Sequence, residues 1–502
     1  MFTPRLRLLI EARARFLHNW GVMRNQVQIR RCWSLLLAAA WWLTNGAPCS
    51  AADAPVDSLQ ARIQAKHKPN IIFILADDLG YGDIGCYGQT KIKTPNIDRL
   101  AAQGMRFTQC YAGSTVCAPS RASLMTGLHT GHVRIRGNAA VPLQAADVTV
   151  AEVLKRAGYT NGVIGKWGLG LANTPGTPNR KGFDDWFGYL GQTHAHDYYP
   201  TQLYRNDFLF ALQGNLQGKK GEYSHDLFTK VALNFLRINK HNPFFLYLPY
   251  TIPHAQNELK AQGMPVPSDA PYSREDWPQM EKNKAAMITR LDEDVGKLMQ
   301  KLKDLKIDDN TLVFFTSDNG PHSEGGVKAE FFQSSGPLRG IKRDMYEGGI
   351  RVPMIARWPG KIKAGAVSDQ VWAFWDFLPT AAEIAEVKPS IGIDGISMLP
   401  TLLGQTQTNQ HEFLYWEFHE KGSKQAVRMG DWKAVRLEPG KPLELYNLKT
   451  DLGETENVAA KNPEVVARIE AYLKTARTPS ERWPLRTAKE EEANPPGPEE
   501  TN

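Results

Sequence analysis

Cysteine is scarce. Five residues in 502 are too few for a disulfide-built scaffold, and a chain this long can bury a core without one. Acceptors for N-linked glycans are missing altogether, since no Asn-x-Ser/Thr triplet occurs. That argues against a eukaryotic secretory origin and for a bacterial envelope. Long apolar runs are missing too: the stretch from Trp33 to Leu43 falls short of the ~20 residues that cross a bilayer, and no later stretch qualifies. No internal repeat is visible, which excludes a repeat array. A basic surplus is absent where it would count. The formal net charge is +7, but residues 1–51 hold seven arginines against the single acid Glu11, and the rest of the chain sets 53 basic residues against 52 acidic ones. A general nucleic-acid binder keeps its surplus in the folded part.

What is present is ordinary globular composition, 42% hydrophobic and 23% charged, which excludes a disordered or fibrous chain. The Arg-rich start, the apolar run and the small residues Ala47, Ser50, Ala51 and Ala52 predict a secretory signal peptide over 1–51. The mature chain is then exported, to the periplasm or beyond, with no membrane span. Cys32 and Cys49 leave with the signal. Cys86, Cys110 and Cys117 remain and cannot all pair, so one thiol is left over in an oxidising compartment.

Apolar runs bounded by turn residues recur at Asn70–Ala76, Tyr159–Ile164, Pro243–Pro249 and Thr311–Thr316. Between them lie helical patterns. The clearest runs from Glu281 to Leu305, with Met287, Leu291, Val295, Leu298, Leu302 and Leu305 at three- and four-residue steps, the spacing of a core-packing stripe. Short apolar strands alternating with amphipathic helices predict an α/β fold: a large mixed, mostly parallel sheet sandwiched by helices over 68–400. Shorter strands follow at Phe413–Phe418, Lys424–Met429, Trp432–Leu437 and Leu443–Tyr446. They predict a smaller C-terminal α+β domain on an antiparallel sheet, 411–478, with a helix near Pro463–Ala476. Residues 487–502, rich in Glu and Pro, are expected to form a flexible tail.

In open α/β sheets ligands gather at the carboxyl ends of the strands. The first run ends in Asp77-Asp78, and the last in Ser317-Asp318-Asn319-Gly320. The second leads to Gly165-Lys166, and the third leads through Pro253 to His254. One acid pair alone reads as a turn or cap. Acids and an amide after two buried strands, with Lys and His after two more, read as a site. Converging carboxylates and an amide oxygen suit a hard cation, Ca²⁺ or Mg²⁺. A second element, Cys117-Ala118-Pro119-Ser120-Arg121, puts Cys117 at a helix N-terminus with Arg121 one turn on. There the cysteine reads either as a nucleophile of lowered pKa or as a buried structural thiol.

Cys117-Ala118-Pro119-Ser120-Arg121, with Thr126-Gly127, resembles the signature of the sulfatase family, in the arylsulfatase-like branch of the alkaline phosphatase superfamily. Further pieces match in order: Asp77-Asp78-Leu79-Gly80, Thr94-Pro95-Asn96-Ile97-Asp98-Arg99, Gly165-Lys166-Trp167, Pro253-His254, Asp318-Asn319-Gly320, Tyr346-Glu347-Gly348-Gly349 and Gly430-Asp431-Trp432-Lys433. Together they span roughly residues 68–460. The resemblance implies hydrolysis of a sulfate ester, with a sulfated carbohydrate as one substrate class. It implies that Cys117 is oxidised to Cα-formylglycine by a formylglycine-generating or anaerobic sulfatase-maturing enzyme. One hydroxyl of the hydrated aldehyde attacks sulfur, and the other then expels sulfate.

The same resemblance assigns Asp77, Asp78, Asp318 and Asn319, with the side chain at Cys117, to a divalent cation, usually calcium, with magnesium as the alternative. Arg121 would steady the hydrate, Lys166 and Lys342 would neutralise the sulfate oxygens, and His254 would serve the leaving oxygen. Arg343 competes with Lys342 for its role. One position departs from the pattern. Many members carry histidine two residues after the lysine, and here that residue is Gly168. His194 and His196 are candidates to stand in for it or to face substrate, and Trp416, Glu417 and His419 are candidates for a sugar site, with core packing as the alternative for Trp416. A phosphate or phosphonate ester hydrolase and a non-catalytic sulfated-glycan binder are the competing readings.

Overall fold

A computed structural model of the chain describes residues 68–389 and 391–493. The expected signal peptide and residues 494–502 of the expected tail lie outside them. Eleven strands form the large sheet: β1 (Asn70–Ala76), β2 (Met105–Tyr111), β3 (Thr160–Lys166), β4 (Asp185–Tyr189), β5 (Gln202–Arg205), β6 (Phe208–Ala211), β7 (Phe244–Pro249), β8 (Thr311–Ser317), β9 (Arg351–Arg357), β10 (Ala366–Ser368) and β11 (Trp372–Ala373). Their order is β10-β2-β9-β8-β1-β7-β3-β4-β5-β6, with β11 paired to β2. The block β8-β1-β7-β3-β4 is parallel. Strand β9 runs antiparallel to both its neighbours, as do the β4–β5 and β5–β6 pairs. The sheet is therefore mixed, as expected, with its parallel block in the middle.

That block is unbroken apolar sequence because both of its faces are covered. In β1 the side chains of Ile71, Phe73 and Leu75 enter one core, and those of Ile72, Ile74 and Ala76 enter the other. The first core is closed by helices Cys117–Thr126, Val150–Arg156 and Phe377–Ile384, the second by Pro95–Ala102, Ser224–Asn239 and Gln279–Asp304. The last of these is the helix predicted over 281–305. Its stripe Met287, Leu291, Val295, Leu298 and Leu302 is fully buried, worth roughly 1.5–3 kcal/mol per side chain.

The second sheet is an antiparallel meander, β12 (Leu414–His419), β13 (Ser423–Met429), β14 (Trp432–Arg436) and β15 (Glu444–Asn447). One face packs on Tyr111, Val116, Tyr346 and Trp375 of the large-sheet body, the other on helix Pro463–Leu473. The seam is laced with buried charge. Glu347 accepts from Lys433 at 2.9 Å and from Tyr111 at 2.6 Å. Glu417 pairs with Arg136 at 2.9 Å and Arg477 at 2.7 Å. Trp416 is fully buried, its indole N–H donating to the Ala112 carbonyl. Trp416, Glu417 and His419 are thus seam residues, which corrects the expectation of a sugar site there. The tail expectation is also corrected in part: residues Ala488–Ala493 form a helix, and the Glu491 carboxylate accepts from the backbone N–H groups of Lys421 and Gly422.

Glu417 yields a stability prediction. Burial opposes its ionisation, but hydrogen bonds from His419 and Arg477 and the charge of Arg136 hold its pKa well below the ordinary 4.5. An acid with a depressed pKa stabilises the fold above its ordinary value and loses that contribution as pH falls. Glu417→Gln strands the buried Arg136 guanidinium and the half-buried Arg477 and is expected to cost about 3 kcal/mol at pH 7. In urea titrations the gap between wild type and variant should narrow below about pH 4.5. A gap that stays constant with pH would show that the pairing is not its source.

Candidate active site

The four strands ending in expected site residues, β8, β1, β7 and β3, are consecutive in the sheet, and their carboxyl ends open on one edge. Register brings the acids together: Ala76 pairs with Ser317, so Asp77 and Asp318 follow side by side. Asp78 adopts a left-handed backbone at φ +65°, a conformation that Asp tolerates better than most residues. Its N–H donates to Asp318 Oδ1 at 3.1 Å. Ser317 Oγ accepts from the Leu79 N–H at 2.8 Å and donates to the Asn319 carbonyl. The Asn319 amide donates to Asp78 Oδ1 at 2.7 Å.

Helix Cys117–Thr126 is buried along its whole length and is tied to the end of β8. Ser120 Oγ donates to the Asp318 carbonyl at 2.5 Å. Arg121 donates twice to Asp318 Oδ2, at 2.7 and 3.1 Å, once to the Lys166 carbonyl, and lies 3.2 Å from Asp77 Oδ2. One ligand atom each from Asp77, Cys117 and Asp318 lie within 4.8 Å of one another. The acids already have protein counter-charges: Lys166 Nζ is 2.9 Å from Asp77, and Lys342 Nζ is 2.8 Å from Asp78. Repulsion among the three carboxylates is therefore met by Arg121, Lys166 and Lys342, which the sequence argument for a cation did not count.

These pairings set the protonation states. Burial would raise Asp77, but the charges of Lys166 and Arg121 outweigh it and hold its pKa at about 2. Asp78 is likewise held low, chiefly by Lys342 against burial. For Asp318, burial and the neighbouring charge of Asp77 prevail over Arg121 and push it up to about 7. Burial raises the Cys117 thiol in spite of Lys166, so the cysteine as encoded is not a low-pKa thiolate. The Ala118 N–H at the helix start is also taken, donating to Asn138 Oδ1 at 3.1 Å. His254 is held neutral by burial and by Lys342. Its Nδ1–H donates to the Ala255 carbonyl at 2.6 Å, which assigns Nε2 as the acceptor facing Lys342 Nζ at 3.1 Å.

A narrow cleft opens over Cys117, lined by Asn138, Gln192, His196, His254, Lys342 and Arg343 among others. Lys342 reaches Asp78 and His254, whereas Arg343 pairs with Glu324 at 2.5 Å and Glu420 at 2.8 Å; geometry separates two residues that sequence left in competition. Of the two loop histidines, only His196 lines the cleft, stacked on His254 at 4.6 Å. His194 packs edge-on against Tyr189 instead. Asn138 and Gln192 were not foreseen. The signal for Gln192 was indirect: a glycine where relatives carry histidine. Cys86, Cys110 and Cys117 are all free thiols, so the leftover is three rather than one.

The Sulfatase family model matches residues 69–387, and the model for the N-sulphoglucosamine sulphohydrolase C-terminal region matches 341–478. N-acetylgalactosamine-6-O-sulfatase of Bacteroides thetaiotaomicron is 31% identical over 83% of this chain and 94% of its own. Arylsulfatase A of Homo sapiens is 33% identical over 82% and 88%. The crystal structure of Ps i-CgsB in complex with k-i-k-neocarrahexaose superposes with a TM-score of 0.73 at 30% identity, covering 85% of this chain and 98% of that one. The chain belongs to the sulfatase family. It is an enzyme, a sulfuric ester hydrolase.

Proposed function

We propose that the chain is exported and releases inorganic sulfate from a sulfated carbohydrate, with residue 117 matured to Cα-formylglycine beside a calcium ion. The observation that carries this reading is the meeting of Asp77, Cys117 and Asp318 within 4.8 Å of one another, with Cys117 lining a cleft and the two acids buried behind it. Relatives named for sulfated amino sugars and one solved with a carrageenan oligosaccharide support the substrate class. The raised thiol pKa supports a matured nucleophile over the bare cysteine. Among the described residues no helix is long and apolar enough to cross a membrane, which is compatible with export.

The residues fit a hard cation. Asp77 Oδ1 and Asn319 Oδ1 are buried oxygen acceptors with no hydrogen-bond partner, and the flanking donors are further carboxylates, the ligand chemistry of calcium and magnesium. Asp77, Asp78, Asp318 and Asn319, with residue 117, would hold the ion. Bound there, it supplies Lewis-acid polarisation of the sulfate oxygens. Arg121 fixes Asp318 and the helix bearing residue 117. Lys166 and Lys342 place two buried positive charges beside the nucleophile, preorganised for the sulfate oxygens. His254, fixed through Nδ1–H by the Ala255 carbonyl, holds the Lys342 ammonium through its Nε2 lone pair, so any proton for the leaving oxygen would pass by way of Lys342.

The test is metal removal together with peptide chemistry. Excess EDTA is expected to lower 4-nitrophenyl sulfate hydrolysis by about 100-fold or more, with recovery on adding calcium. Peptide mass spectrometry of enzyme from its natural host should find an aldehyde at residue 117. Release of sulfate from 6-sulfated N-acetylgalactosamine or carrageenan oligosaccharides should exceed turnover of 4-nitrophenyl phosphate. An intact thiol in active enzyme, or full activity in chelator, would overturn the mechanism; preference for the phosphate ester would overturn the substrate class.

A further inference from the structure

Gly168 sits just past β3 with φ +73°, and its backbone N–H donates to the Leu190 carbonyl at 3.0 Å. A Cβ built on it would lie 2.0 Å from Gln192 Nε2 and 2.8 Å from Gln192 Cδ. The space a side chain at 168 would occupy is thus filled by the Gln192 amide. That amide is held at both ends. Its Nε2 donates to the Gly168 carbonyl at 3.2 Å, and its Oε1 accepts from Cys117 Sγ at 3.2 Å. Sγ otherwise contacts Asn138 Oδ1 at 3.7 Å. Neither loop histidine makes this contact: His194 is against Tyr189, and His196 is stacked on His254 with Nδ1 3.2 Å from Glu258.

We propose that Gln192 is the positioning residue for the nucleophile at 117, its amide filling the space that a side chain at 168 would take, while the left-handed backbone there independently favours glycine. The proposal rests on the sulfatase reading of residue 117. Oε1 accepts from the side-chain donor at 117, the thiol as encoded and a hydroxyl once matured and hydrated, and so selects the rotamer that faces Asp77 and Asp318. An amide neither takes up nor releases a proton near neutral pH. Gln192 therefore orients the group without acting as its base, a chemical difference from a histidine-bearing relative.

The experiment compares matured full-length wild type with Gln192→Ala, Gly168→Ala and the double variant. It reads kcat and KM on 4-nitrophenyl sulfate and the rate at which an aminooxy probe condenses with the aldehyde at 117. Losing one hydrogen bond to the reacting group is expected to lower kcat about 30-fold in Gln192→Ala, with KM changed by less than about threefold. The probe rate should rise about threefold or more as the hydrate loses its acceptor. Gly168→Ala displaces the far end of a flexible side chain and puts a Cβ on a left-handed backbone at φ +73°, a strain of about 1–2 kcal/mol that urea titration reads separately, so it should fold and show the same two changes. The double variant should be no slower than the worse single, because both substitutions remove one contact. The proposal is overturned if kcat in Gln192→Ala stays within about threefold of wild type, if the probe rate does not move, or if the two losses multiply. Wild type that releases no sulfate would instead overturn the underlying sulfatase reading.

Discussion

Cys117→Ala is expected to abolish sulfate release, by about 10⁴-fold or more, while leaving the fold intact. The magnitude follows from removing a nucleophile whose surroundings remain in place. The stability half of the expectation comes from what the sulfur touches. Sγ meets Gln192 and Asn138 on the cleft wall, whereas the apolar side of the same helix, Ala118, Ala122, Leu124 and Met125, carries the packing. Deleting one sulfur at a cleft wall lets solvent in rather than leaving a sealed cavity, so the cost in stability should stay below about 1 kcal/mol. Cys117→Ser should be equally inactive wherever the maturing system does not accept serine, although it restores a hydroxyl. Paired sulfate-release and urea-denaturation measurements settle both halves. Activity within about tenfold of wild type in Cys117→Ala would remove residue 117 from the chemistry.

Arg121→Met should damage both stability and turnover. The guanidinium is fully buried, donates twice to Asp318 and lies 3.2 Å from Asp77. Methionine fills much of the volume but leaves two buried carboxylates short of a counter-charge, at a cost of about 3–5 kcal/mol. Turnover should fall about 10³-fold, because Asp318 and the helix carrying residue 117 lose their common anchor. Arg121→Lys should rescue little: an ammonium cannot reproduce the paired donation to Asp318 together with the bond to the Lys166 carbonyl. Denaturant titration and kcat/KM on 4-nitrophenyl sulfate test this. A stability loss under about 1 kcal/mol would mean that the acids are compensated elsewhere.

How much of this was legible in sequence follows from physical range. Buried parallel strands read as unbroken apolar runs, so their polar punctuation at Asp77, Lys166, His254 and Asp318 marked one sheet edge directly. The helix after Cys117 was legible from Pro119 and Arg121. Lys342 and Arg343 were not separable, because adjacent residues point differently only once the loop is folded. The Gln192 contact was invisible: it joins positions 24 apart through a left-handed glycine and the placement of a loop. Trp416, Glu417 and His419 misled because an aromatic beside an acid and a histidine looks the same in a string whether it lines a groove or is sealed in a seam. The short antiparallel strands β5 and β6 escaped notice for want of length, since four residues carry little periodicity.

The buried charge between the two sheets bears on how this chain can be divided. Lys433 on β14 is fully buried and lies 2.9 Å from Glu347 and 3.5 Å from Glu454. A truncation that ends before β12 would strip Glu347 of its ammonium and uncover Tyr111 and Trp375 together. The large-sheet piece would then carry a buried acid left with Arg351 alone at 3.2 Å, on a freshly exposed greasy surface, a recipe for aggregation rather than autonomous folding. Shuffling the C-terminal meander between relatives should succeed only where the incoming strand brings a cation to that one spot.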